Sequence, residues 1–181
     1  LLAIWATLLA EEGAPEAIAE AMRILEKVVL INPRNAVAHL KLIEQARNWG
    51  DLPKAGVYAK RALGANPEDT NLLSVMADLE RKFGRARIAR ELALQVLKID
   101  PRNVNAHILL VYLALYGGQI EEAEHYSHDA IELDSQNDEV QLTRALVLNA
   151  QGRCEQAIAS LEDYCRGDVG RANVRVLVLL S

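Results

Sequence analysis

Aromatic residues are scarce in this chain: one Phe, two Trp and five Tyr, 4% of 181 residues, although 51% are hydrophobic. The apolar content is therefore mostly Ala, Leu, Val and Ile, a composition that favours closely packed helices. Cysteine is nearly absent, and two residues are too few for a disulfide framework. Cys154 and Cys165 lie 11 positions apart on one expected helix, roughly 16 Å along its axis and beyond disulfide reach. Free thiols favour a reducing compartment, and a cytoplasmic location is the expectation. Long apolar runs are missing too. The most apolar stretch, Asn103 to Gly118, has no charged residue, but the distance between its cap signal and its glycines suits a buried helix better than a bilayer crossing. The formal net charge of -5 lacks the basic excess expected of a nucleic-acid module. No phosphate loop, Gly-x-Ser-x-Gly elbow or His-Glu-x-x-His motif is present. A noncatalytic protein without metal or cofactor is the expectation.

What the chain does have is a beat of 34 residues. Asn32-Pro33, Asn66-Pro67 and Asp100-Pro101 recur at that interval, followed by Asp134-Ser135 and Asp168-Val169. Gly50, Gly84, Gly118 and Gly152 form a second ladder, and Ala21, Ala55, Ala89, Ala123 and Ala157 a third. Three ladders with one period and constant offsets describe an array of one structural unit. The copies are expected at 2–35, 36–69, 70–103, 104–137 and 138–171, with a partial copy at 172–181, all within one array over 1–181.

Each copy spells two helices and two tight turns. Asn35, Asp69, Asn103 and Asn137 follow the Pro-type turns at fixed spacing, and each side chain can accept a hydrogen bond from the open amides of the next helical turn. A helix of about 14 residues, called helix A, then runs to the glycine, whose left-handed conformation closes it. Asp51 caps the second helix, helix B, which ends at Asn66-Pro67. Ala at one offset of every helix B implies that its backbone approaches its own helix A too closely for a larger side chain.

With these residues in hand, the chain resembles the tetratricopeptide repeat (TPR) family. The likeness rests on the 34-residue period, the helix-turn-helix unit, the Ala of helix B and the closing Pro, and it extends over essentially the whole chain. Trp5 and Leu8 reproduce the Trp-x-x-Leu opening of the family pattern, whereas His39, Leu73, His107 and Gln141 stand where later copies would repeat that Trp. Arg144 falls where an apolar residue is expected. His39 and His107 are expected to pack, half-buried, between repeats.

The resemblance implies an all-α, right-handed solenoid of antiparallel helix pairs, about five repeats plus a partial sixth, with helix A lining a concave groove. The groove residues it implies are Lys41, Glu44 and Arg47 in the second copy, and Asn71, Asp78 and Arg81, with Lys82, in the third. Asn105, Ile108, Tyr112 and Tyr116 follow in the fourth, then Leu142 and Leu146, with Glu139, in the fifth. The surface changes from mixed charge to apolar and aromatic, which suits an extended peptide or helix with apolar anchors at one end. The alternative is that these apolar residues pack within the chain or against a second copy; the apolar stretches Leu1 to Leu9 and Val174 to Leu180 make self-association a further possibility. The carboxylate clamp by which cochaperones of this family hold chaperone tails is not spelled by any copy. The function expected is a noncatalytic scaffold for a protein or peptide partner. The alternative is a recruiting or regulatory region of a larger enzyme, of glycosyl- or sulfotransferase type, or of a bacterial envelope assembly or export system. The absent initiator Met is in keeping with a start inside a longer protein.

Charge is segregated. Seven basic residues and two acids lie between Arg81 and Arg102, and eight acids without any Lys or Arg between Gln119 and Glu139. Aromatics do not alternate with the basic residues of this block as they do in single-strand binders, so a solvated helix face is the simpler reading, and nucleic acid is not an expected partner. Glu121, His125, His128 and Glu132 share one helix face, but one straight helix rarely wraps a metal, and an exposed acidic helix explains the same letters.

Overall fold

The computed structural model describes residues 15–166, and all regular structure within them is helical. The helices are α1 (Pro15–Ile31), α2 (Ala36–Asn48), α3 (Leu52–Ala65), α4 (Thr70–Lys82), α5 (Ala86–Ile99), α6 (Val104–Tyr116), α7 (Ile120–Leu133), α8 (Asp138–Ala150) and α9 (Cys154–Arg166). Two compact units divide at the third Pro turn: Leu1–Ile99, containing α1–α5, and Asp100–Ser181, containing α6–α9. The expectations for Trp5, Leu8, the apolar ends and the partial sixth copy lie outside the described residues.

The helix boundaries follow from backbone chemistry. Asn35, Asp69 and Asn103 side chains accept from the amides of Ala38, Leu72 and Ala106 at 3.0 to 3.1 Å, and Asn137 accepts from Glu139 and Val140. Asp51 does the same for Lys54. It has no acidic counterpart in later copies, where Arg85, Gln119 and Arg153 precede the second helix. At the other end of each helix A, Gly50, Gly84, Gly118 and Gly152 have φ of 74, 75, 70 and 76°. This left-handed turn lets the amides of Asp51, Arg85, Gln119 and Arg153 reach back to the carbonyls of Ala46, Glu80, Ala114 and Leu148 at 2.8 to 2.9 Å, which occupies carbonyls the helix end would otherwise leave open.

Glycine in α3 obeys the opposite logic. Gly64 is helical, and a Cβ there would meet nothing within 4 Å. Gly64→Ala should therefore stabilise the protein by roughly 0.5–1 kcal/mol. Gly50→Ala should destabilise it by about 1–2 kcal/mol, because the left-handed turn is strained for an L side chain. Denaturation midpoints that moved in the same direction for both variants would contradict this assignment.

Packing explains the alanine ladder. Ala21, Ala55, Ala89 and Ala123 are fully buried and Ala157 nearly so. In the first unit the core runs through Leu25, Val29, Leu42, Ile43, Leu72 and Leu79, joining α1 to α4. In the second, Ile108, Ala130 and Val140 join α6, α7 and α8, while Ala145, Ala157 and Leu161 join α8 to α9. The antiparallel pairs α2/α3, α4/α5, α6/α7 and α8/α9 are the repeated motif.

Three of the four residues replacing the repeat Trp share one device. The ring Nε2 atoms of His39 and His107 lie 2.9 and 3.0 Å from the carbonyls of Pro33 and Pro101, and Gln141 Nε2 donates to Ser135 O at 2.7 Å. Since a carbonyl only accepts, both histidines carry a proton on Nε2. Each side chain fastens helix A to the turn six residues before it. All three are buried rather than half-buried, and Leu73 at the same offset packs without such a bond.

Candidate interaction surface

In the first unit, the helix A residues of α2 and α4 meet through charge. Arg47 Nη2 lies 3.1 Å from Asp78 Oδ2, linking the two helices directly. Lys82 Nζ lies 3.1 Å from the same oxygen, and Arg81 Nη2 2.8 Å from Oδ1. The expected groove residues Arg47, Asp78 and Arg81 are thus brought together, with Lys82 added. Burial raises the pKa of the Asp78 carboxyl, but hydrogen bonds from Arg81 and Lys82 outweigh it and hold the group below its ordinary value, so it is ionised at neutral pH. Lys41 and Glu44 form their own pair one turn earlier, at 2.9 Å. Asn71 is exposed at the start of α4, and Val37 is 60% exposed at the start of α2.

The second unit is bridged differently. Tyr112 of α6 donates its hydroxyl to Glu139 Oε1 of α8 at 2.5 Å. Tyr112 is therefore half-buried and engaged within the chain, whereas Tyr116, one turn on, is 87% exposed. Ile108, expected to line the groove, is instead 7% exposed and packed in the core with Ala130 and Val140. Leu142 and Leu146 are half-buried, and Asn105 is exposed. The apolar character of α6 goes largely into burial: Ala106, His107, Leu109, Leu110, Val111, Leu113 and Ala114 are all buried.

Part of the basic block is held in local pairs. Arg81 and Lys82 engage Asp78, Arg85 engages Glu80, and Arg87 engages Glu91. On α7, His125 lies 3.7 Å from Asp129 and His128 3.8 Å from Glu132, each one turn apart, while His107 approaches Asp129 at 3.8 Å. Among the described residues, no group of three or more His, Cys, Asp or Glu is placed to hold a metal ion, and no helix is long and apolar enough to cross a membrane. Cys154 is a free, exposed thiol whose Sγ is 3.2 Å from Asn149 Oδ1.

The sequence pattern did not single out Glu80, which is 2% exposed. Its signal was an irregularity: the same offset carries Ala46, Ala114 and Leu148 in the other copies.

Capped helix pairs at a 34-residue interval, closed by left-handed glycines and packed on small residues, are the architecture of helical repeat proteins. Comparison with solved structures identifies the fold as that of TPR proteins. A thermophilic TPR protein of Thermus thermophilus, TTC0263, superposes with a TM-score of 0.79 at 18% identity, over 99% of this chain and 97% of that one. Pseudomonas aeruginosa pilF gives 0.75 at 19% identity, over 97% of this chain and 79% of that one. YrrB, described as a TPR protein with an unusual peptide-binding site, gives 0.65 at 14% identity, over 94% and 87%. No protein-family model matches the chain, and no curated protein does.

Proposed function

We propose that this protein is a noncatalytic scaffold that holds a segment of a protein partner against the faces formed by its A helices. The observation that carries this reading is the exposure of Val37 and Tyr116, at 60% and 87%, on helices whose remaining large apolar side chains are mostly packed away. Exposed branched and aromatic side chains provide rigid contact area, and the exposed Asn71 and Asn105 offer amide groups for a peptide backbone, as peptide-binding surfaces do. The TPR fold shared with YrrB, a protein described as having a peptide-binding site, supports the same reading.

The test is affinity capture with the wild-type chain and with Val37→Ala plus Tyr116→Ala. Because neither side chain is core, both proteins should melt alike. Loss of such anchors should lower recovery of a specific partner roughly tenfold, a change of about 1.4 kcal/mol. Equal recovery of the same partners by both proteins would remove these faces from consideration.

A further inference from the structure

The Asp78 cluster holds more positive charge than its single carboxylate neutralises. Arg47 comes from α2 and Lys82 from α4, yet both address one oxygen, Asp78 Oδ2, at 3.1 Å each. Among the described residues that carboxylate is the only anionic partner of either cation. The other Asp78 oxygen is taken by Arg81 at 2.8 Å.

A structural reason for the cations exists: all three lie in or beside the last turn of a helix, where positive charge complements the helix dipole. The dipole explains why each helix ends in a cation. It does not explain why cations of two helices converge on a single oxygen. Arg47 and Lys82 are also within reach of solvent, with side chains 35% and 32% exposed, while Asp78 is 25% exposed. Taken alone, Arg47, Lys82 and Asp78 carry two positive charges against one negative, leaving a surplus of one.

We propose that Arg47 and Lys82 form a receptor for a carboxylate side chain in an acidic segment of the partner, with Asp78 as the internal group that holds both cations in place until the partner arrives. This rests on the scaffold reading above and names the chemistry of what binds. The incoming carboxylate takes up the hydrogen-bonding capacity the shared oxygen leaves over, since Arg and Lys together offer several donors and Asp78 Oδ2 occupies one from each. An acidic side chain is favoured over a nucleic acid because the local surplus is a single charge at the ends of two helices, which one carboxylate matches, whereas a polyphosphate backbone is met by an extended basic face. The arrangement also differs from the family's carboxylate clamp, whose residues this chain lacks: here the two cations sit at the ends of consecutive A helices around an acid.

The probe is fluorescein-labelled hexaglutamate, titrated with the intact chain and followed by anisotropy at low salt. Saturable binding is expected, weakening about tenfold as salt rises from roughly 20 to 200 mM, because such contacts are screened. Arg47→Gln plus Lys82→Gln should weaken it at least ~tenfold. Lys82→Gln alone, a partly exposed change that leaves the fold intact, should weaken it about threefold. Asp78→Asn should tighten it several-fold by removing the competing carboxylate. The proposal is overturned if the wild type shows no saturable binding, or if the double variant binds hexaglutamate within about twofold of wild type. It is overturned equally if a thymidine oligonucleotide of the same charge binds more tightly and is lost in the same variant. Should hexaglutamate fail while partner capture still depends on Val37 and Tyr116, the acidic-segment inference falls alone and the scaffold reading stands.

Discussion

Arg85→Ala should destabilise the first unit by about 3 kcal/mol, whereas Glu80→Ala, which deletes the other half of the same ion pair, should change stability by less than about 1 kcal/mol. The asymmetry comes from where the two charges sit. The Glu80 side chain is 3% exposed and its two oxygens lie 3.0 and 3.3 Å from Arg85 Nη1, while the Arg85 side chain is 53% exposed. Removing the arginine strands a desolvated carboxylate and also loses the guanidinium lying 5.3 Å from the Phe83 ring centroid. Removing the glutamate leaves a cation that water can hydrate, and puts Ala where Ala46 and Ala114 are fully buried in neighbouring copies. The double variant should resemble Glu80→Ala. Denaturation midpoints, with hydrogen exchange of the α4 amides as the local readout, separate the cases. Similar losses for the two single variants would show that the pair is not held by burial of its acid.

That ion pair marks the boundary between what the sequence displays and what it does not. Features that repeat are legible because each copy independently reports the same backbone need. Asn35, Asp69, Asn103 and Asn137 all cap helices, and Gly50, Gly84, Gly118 and Gly152 all adopt the left-handed turn. Features that occur once depend on distances between copies, which a period does not encode. Tyr112 and Glu139 both lie on A helices, but their hydrogen bond depends on the spacing of α6 and α8. Ile108 falls at a groove offset of its helix yet is buried, because α6 is apolar on nearly every side and α7 and α8 cover part of it. The histidines show the same limit: their offset identifies them as packing residues, but the hydrogen bonds to Pro33 and Pro101 become visible only once the turn is folded back over the helix. For the surface, the sequence thus names the helices that present side chains, and the structure separates Tyr116, which stands clear, from Tyr112, which is engaged. A capture experiment built on Tyr112 would confuse loss of a partner with loss of the α6–α8 bridge, so the pair Val37 and Tyr116 is the sharper choice.

Ala89→Leu and Ala123→Leu should each destabilise the protein by about 1–3 kcal/mol, through overpacking. Both positions are fully buried, Ala89 where α5 meets α4 and Ala123 where α7 meets α6. A leucine adds three carbons to a contact with no space for them, and the helices must separate or the side chain must leave its preferred rotamer. Ala159 supplies the control: it is an exposed position of α9, so Ala159→Leu should stay within ~0.5 kcal/mol of wild type. In a repeat array the loss should also be local, because stability is approximately a sum of unit and nearest-neighbour terms. Hydrogen exchange should therefore report Ala89→Leu first in α4 and α5, and Ala123→Leu first in α6 and α7. If both variants unfolded at the wild-type midpoint, the alanine ladder would not be a packing requirement, and the close approach of each helix pair would need another cause.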